Sequence, residues 1–162
     1  MREIIFRGKK LSNGEWVQGH YFETITKHIH HNITVPDSMT VLGYANYEVD
    51  IQTVSAYTGL IDLNGIPIFE GDIIKHYNRI DSCYSSSFDV GLVYWDEEEL
   101  GWKRTGQSES QYIKNHGYIL TNKSKYEVIG NIYDNPDLIS SISITNMPTD
   151  EVMLFASDMS NN

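Results

Sequence analysis

Residues 57–74 read YTGLIDLNGIPIFEGDII, and the fold turns on how this stretch is parsed. It holds two Gly-centred turn signals, Asn64-Gly65 and Glu70-Gly71-Asp72, and two apolar runs suited to strands, one through Ile66, Ile68 and Phe69 and one beginning at Ile73. Gly59, Gly65 and Gly71 punctuate the entrance to a small barrel. In FEGDII the glycine takes a backbone closed to other residues, and the Asp72 carboxylate accepts N–H groups of the turn. That structural role is preferred over Asp72 or Glu70 as a ligand or acid–base group, because the sequence offers no paired catalytic partner.

Working outward toward the C-terminus, strand Ile73–Tyr77 gives way to NRIDSCYSSSF at 78–88, which is rich in Ser and reads as a polar loop. DVGLVYW at 89–95 is a strong strand, Asp96–Glu99 an acidic turn, and Trp102–Arg104 its antiparallel return. Tyr118–Leu120 and Glu127–Ile132 add two strands, and Asn135 is placed to cap a short helix with Pro136 at its first position. Working toward the N-terminus, Ile4–Phe6 runs through a loop holding Asn13-Gly14 and returns from Trp16 to Phe22 as a hairpin. KHIHHNITV at 27–35 is a third strand candidate, 41–49 a short irregular continuation, and Asp50 caps one helical turn to Val54. The expected architecture is mainly β: an N-terminal β-hairpin region over 1–57, an SH3-like β-barrel over 58–140, and a tail or oligomerisation arm over 141–162. Two-stranded ribbons are marginal alone, so the N-terminal hairpins are expected to pack on the barrel or on a neighbouring subunit.

Composition narrows the function classes. The chain has 162 residues, of which 40% are hydrophobic, enough to build a core. No apolar run approaches the roughly 20 residues that span a bilayer and no charged-then-apolar leader opens the chain, so a soluble cytoplasmic protein with no membrane partner is expected. Twelve Lys and Arg against 22 Asp and Glu give a formal charge of −10, which disfavours duplex DNA unless the cations share a face. Arg2, Arg7, Lys9 and Lys10 crowd the start, and no Lys or Arg follows Lys125. Cys83 is the only cysteine and reads as a plain thiol.

Candidate chemistry is sparse. His28 and His30 share one face of a strand at a spacing compatible with chelation while His31 points away, but no second HxH, Cys pair or HExxH accompanies them, and a solvated strand is preferred. Asp96–Glu99 imitates a Mg²⁺ carboxylate cluster, yet consecutive side chains on a hairpin tip diverge, so a solvated turn is the better reading. Walker, GxGxxG, GxSxG and CxxC motifs are absent, and neither catalytic residue, cofactor nor metal is assigned. Eleven Tyr, 5 Phe and 3 Trp exceed what a small core hides. Tyr77, Tyr94, Trp95 and Trp102, all on expected barrel strands, are therefore the candidate partner-binding surface, with Tyr94 and Trp95 on opposite faces by alternation.

The opening stretch, together with IGNIYDNPDLI at 129–139 and REIIFRGKKLSNGEWVQG at 2–19, resembles the YopX family of proteins encoded by bacteriophages and prophages. The family's wording near the first motif is richer in Lys and Glu, where this chain has Leu63, Ile66 and Pro67. Those apolar residues are expected to thicken a subunit contact. The resemblance implies phage or prophage origin, a β-rich fold and self-association, and carries no catalytic residues with it, since members largely lack an assigned activity. The expected function is a non-enzymatic, homo-oligomeric interaction module binding a host or phage protein. The alternatives are an accessory protein for single-stranded DNA or RNA using Arg2–Lys10 and the aromatics, and an acidic DNA-mimic inhibitor. The apolar group Val152–Phe155 in the tail is expected to contribute to self-association.

Overall fold

A computed structural model describes residues 4–23, 27–33, 43–80, 83–106 and 117–139, with the side chains of 22–45 and 78–87 outside that description. The tail over 141–162, Arg2, and the side chains of His28, His30, His31 and Cys83 lie outside the described residues. The chain divides into two compact units, Met1–Gly59 and Leu60–Asn162.

The first unit begins with the hairpin that Asn13-Gly14 signals: β1 (Phe6–Lys9) pairs antiparallel with β2 (Trp16–Glu23), Phe6 facing Gly19 and Lys9 facing Trp16, with Gly14 at φ 71°. β3 (Lys27–Ile33) and β4 (Gly43–Glu48) extend the sheet, so the segment expected to be irregular is a regular strand. Asp50 then caps a 3₁₀ turn, Ile51–Thr53, its carboxylate accepting the Gln52 N–H at 3.0 Å. β5 (Ser55–Ile61) returns beside β1 through Phe6–Ala56 and Arg7–Ser55. This is more than a ribbon: Val17 and Val49 are buried, and Phe6, Tyr21, Tyr47 and Val54 pack against them.

β5 ends in the turn at 62–66 and continues into β6 (Pro67–Phe69), which completes a sheet of order β4-β3-β2-β1-β5-β6. β7 (Asp72–Ile80), β8 (Cys83–Asp96), β9 (Gly101–Arg104), β10 (Tyr118–Ile119) and β11 (Lys125–Asn131) form a second antiparallel sheet, ordered β10-β9-β8-β7-β11. The short helix α1 (Pro136–Ile139) follows. Asn135 precedes it, but its side chain accepts the Asn131 N–H at 3.2 Å, behind the helix.

Around Ile73–Ile74 and Leu92–Val93, β7 and β8 are covered on both faces. Ile68, Ile74, Val93, Leu120 and Tyr126 form one buried cluster, with Leu60, Trp102 and Val128 against it. Ile73, Leu92 and Ile132 form the other, with Val90, Ile129, Tyr133, Leu138 and Ile139 around them. Two consecutive isoleucines serving two cores explain why DII reads as an unbroken apolar run rather than an alternation.

The architecture is mainly β, as expected, but the expected SH3-like barrel is corrected to two open sheets. Among the described residues neither sheet closes on itself. Closure would require β11 to pair with a further strand; instead its edge is covered by the 62–66 turn, where the Leu63 N–H donates to the Tyr126 carbonyl at 2.9 Å and the Val128 N–H to Asp62 Oδ2 at 3.1 Å. The supposed loop at 78–88 is also corrected. Its backbone continues β7 to Ile80 and starts β8 at Cys83, with Arg79 opposite Tyr84 and Ile80 opposite Cys83. A ladder of backbone hydrogen bonds asks nothing apolar of the side chains, so Ser-rich sequence hides such a ribbon.

Candidate functional site

The register separates the four aromatic candidates. Pairing sets Ile74 opposite Gly91, His76 opposite Asp89, Val93 opposite Arg104 and Trp95 opposite Trp102, so these residues share one face of the second sheet. Tyr77, opposite Phe88, and Tyr94, opposite Lys103, lie on the other. Trp95 and Trp102 meet edge to face, centroids 5.0 Å apart. Trp102 Nε1 is buried with no hydrogen-bond partner among the described residues. Tyr94 is buried, and its hydroxyl lies where a side chain on Gly117 would stand. Tyr77 donates a short hydrogen bond to Glu127, which Lys75 also approaches at 3.4 Å. That bond raises the Tyr77 phenol above its ordinary value and lowers Glu127 below its own. A single surface of four aromatics does not form.

The Trp95 face carries a constellation that sequence reading missed. Arg104 is 2% exposed, and its NH2 lies 2.9 Å from His76 Nδ1 and 3.5 Å from Asp89 Oδ2, while NH1 donates to the Thr105 carbonyl at 3.0 Å. The guanidinium stacks on Tyr118, 4.4 Å from the ring centroid, and the Tyr126 ring lies 5.5 Å from the imidazole. A guanidinium only donates, so His76 Nδ1 must present its lone pair and the ring is neutral with its proton on Nε2. Burial pushes the imidazole below its ordinary value, the Arg104 charge adds to the effect, and Asp89 opposes it. Two glycines make the room: a Cβ on Gly91 would come 2.2 Å from the Thr105 carbonyl oxygen, and one on Gly106 would come 2.7 Å from Arg104 NH1 and 2.9 Å from the Tyr118 ring. The available signal was His76 standing two residues after the apolar Ile73-Ile74 pair, on the same strand face as Ile74.

Charge is also buried at the β8–β9 turn. Lys103 is 1% exposed and its Nζ donates to Asp96 Oδ2 at 2.8 Å and approaches Glu99 Oε1 at 3.2 Å. Burial penalises Lys103 and Asp96 alike, but the hydrogen bonds between them prevail, holding the amine above and the carboxyl below their ordinary values. Of the acidic run, Glu97 and Glu98 are solvated as expected, while Asp96 and Glu99 close a salt bridge. Asp96 and Glu99 thus converge on the Lys103 ammonium, and no group of three or more His, Cys, Asp or Glu placed to hold a metal occurs among the described residues.

The opening motif builds two turns held by buried carboxylates. Asp62 Oδ1 accepts the N–H groups of Asn64 at 2.7 Å and Ile66 at 2.8 Å, and Oδ2 accepts that of Val128. Gly65 sits in this turn at φ 80° and Gly59 in β5 at φ 87°. Gly71, at φ 76°, donates to the Val93 carbonyl and accepts from the Ile132 N–H, while fully buried Asp72 accepts the Phe69 N–H at 2.8 Å. Between these anchors Ile61, Leu63 and Ile66 stand 62%, 50% and 45% exposed.

Among the described side chains of the first unit, Arg7, Lys9 and Lys10 are packed on aromatic rings. Arg7 lies over Trp16 at 4.6 Å, Lys9 over the same ring at 5.5 Å, and Lys10 over Tyr47 at 4.5 Å while paired with Glu15 at 3.1 Å. No helix among the described residues is long and apolar enough to cross a membrane.

No curated protein matches the chain. Among solved structures, protein EF1440 from Enterococcus faecalis aligns over 86% of this chain and 99% of its own, with a TM-score of 0.46 and 18% identity. The motifs at 57–74 and 129–139 both fall within residues 5–140, which match the family model described as YopX protein, and the chain belongs to the YopX family.

Proposed function

We propose that this chain is a non-enzymatic interaction module of a phage or prophage, acting in the bacterial cytoplasm, that self-associates through the turn at 61–66 and binds a host or phage protein. The observation that carries the reading is the triad Ile61, Leu63 and Ile66, exposed on a turn whose backbone is pinned by one buried carboxylate. Apolar side chains held in fixed positions lose little entropy on docking, which makes such a turn a good anchor. The buried ionic groups support the non-enzymatic half of the proposal: Lys103, Arg104, Asp96 and Asp62 each satisfy a neighbour within the fold. The net charge of −10 suits a basic surface on the heterologous partner. The N-terminal cations, spread over Trp16 and Tyr47, take support away from single-stranded nucleic acid as the ligand.

Light scattering on the wild-type chain and on Leu63→Asp/Ile66→Asp tests the self-association. The wild type is expected to give at least a dimer mass at micromolar concentration and the double variant a monomer mass, with unchanged far-UV circular dichroism. A monomeric wild type, or a folded double variant of undiminished mass, overturns the assignment of this turn.

A further inference from the structure

Arg104 belongs to the innermost strand residues yet carries a charge, and its position depends on a partner that is itself titratable. We propose that His76 is an acid-released catch on the β9–β10 edge: unprotonated, it holds Arg104 beneath Tyr118; protonated, it lets Arg104 go and turns to Asp89. At 2.9 Å a proton on Nδ1 would set two cationic donors against each other, so the imidazolium and the observed Arg104 position exclude one another.

Among the described residues, the charged and titratable groups that face His76 are Arg104 from β9, Asp89 directly opposite on β8, and Tyr126 from β11, with Tyr118 of β10 behind the guanidinium. Arg104 and burial oppose the imidazolium; Asp89 alone favours it. Asp89 now serves Arg104 at 3.5 Å, so it gives the protonated ring a second partner rather than leaving it stranded. The state reached by acidification therefore has a bond of its own.

The strand affected is β10. It is two residues long, pairs through Tyr118–Arg104 and Ile119–Lys103, and is continued by the Leu120 N–H donating to the Trp102 carbonyl at 2.9 Å. Ile119 is exposed and Leu120, just beyond the strand, packs in the core, so within β10 itself the Tyr118 ring on the Arg104 guanidinium is the principal side-chain anchor of that pairing. Losing it loosens β10 and opens the outer edge of β9, where an extended peptide can add as a strand.

Amide hydrogen exchange by NMR at pH 7.5 and 5.5, corrected for intrinsic rates, tests the catch on the full chain. An imidazole with the ordinary value of 6.5 in the open form would lower the protection of the Leu120 amide about tenfold between these pH values and the bond to Asp89 would add to this, so a fall of about tenfold or more is expected, while the protection of Ile132, bonded to the Gly71 carbonyl, holds. His76→Asn keeps an acceptor without a titration and should abolish the change. Nitrogen-15 spectra of the wild-type imidazoles at pH 7.5 should show His76 as the neutral Nε2–H tautomer. A Leu120 protection that is flat with pH or falls in step with Ile132, a change that survives His76→Asn, or an Nδ1–H tautomer overturns the proposal.

Discussion

Removing the Asp62 carboxylate should unpin the motif on which the family identification and the proposed contact both rest. Asp62 is 6% exposed and accepts three backbone N–H groups, from Asn64 at 2.7 Å, Ile66 at 2.8 Å and Val128 at 3.1 Å. A hydrogen bond to a charged group contributes about 1.5–3 kcal/mol net, less where water replaces the lost partner. Asn64 and Ile66 are exposed, so their N–H groups rehydrate and each loses about 1 kcal/mol; Val128, half-buried in β11, loses about 2 kcal/mol. Asp62→Ala should therefore cost about 4 kcal/mol. Asp62→Asn keeps the oxygen that closes the turn but sets an NH₂ donor against the Val128 N–H, and should cost about 2 kcal/mol. Urea unfolding followed by the fluorescence of Trp95 and Trp102, both in the same unit as Asp62, measures these losses. Acid adds a second readout. Burial raises the Asp62 carboxyl, but the N–H groups of Ile66, Val128 and Asn64 together hold it below its ordinary value of 3.8. Its contribution is thus present above that value and lost as pH falls through the lower folded one, so Asp62→Asn should flatten the acid limb of the stability curve. A loss under 1 kcal/mol in Asp62→Ala, or an acid limb identical in Asp62→Asn and wild type, would refute the pin.

Gly71→Val should lower stability by about 2–3 kcal/mol, because φ is 76° there and a Cβ would come 3.2 Å from Ile132 Cδ1; an unchanged melting temperature would show that the turn is misread. Lys103→Met should cost less than Asp96→Ala in urea unfolding. The first leaves a carboxylate that still accepts the Glu99 N–H at 2.7 Å, while the second strands a buried ammonium with Glu99 alone, and the reverse ranking would contradict the assigned salt bridge.

What could be read from the sequence was local. The Asp50 cap precedes its 3₁₀ turn by one residue, and Asp72 accepts the N–H of Phe69, three residues before it. Each of these motifs is encoded by the residues that form it. The 62–66 turn is half of that kind: Asn64-Gly65 announces it, but its Oδ2 partner, Val128, lies 66 residues away. Nothing in LIDLNGIP tells a turn that leads into a barrel strand from one that covers the edge of β11, and the barrel expectation failed there. The Ser-rich ribbon at 78–88 was missed for the opposite reason. Its pairing rests on backbone groups that every sequence has, and only apolar alternation would have announced it.

The candidate site depended on register, which no single strand contains. Alternation correctly separates Tyr94 from Trp95, but whether Trp102 joins Trp95 or Tyr94 is fixed by the turn between β8 and β9. That turn holds Leu100 at φ 50°, a backbone that a leucine adopts at some cost, and ties it with the Glu99 N–H on Asp96 Oδ1 and Lys103 on both carboxylates. One residue more or fewer in the turn would carry Arg104 to the opposite face, away from His76, and bring Lys103 into its place. The acidic run read as mere solvation is thus the device that sets the register, and through it the Arg104–His76 contact. The buried ion pair adds specificity: an apolar residue at 103 would pack beside Tyr94 or Trp95 with little preference, whereas the ammonium meets two carboxylates, Asp96 and Glu99, in this register and only that of Asp89 in the place of Arg104.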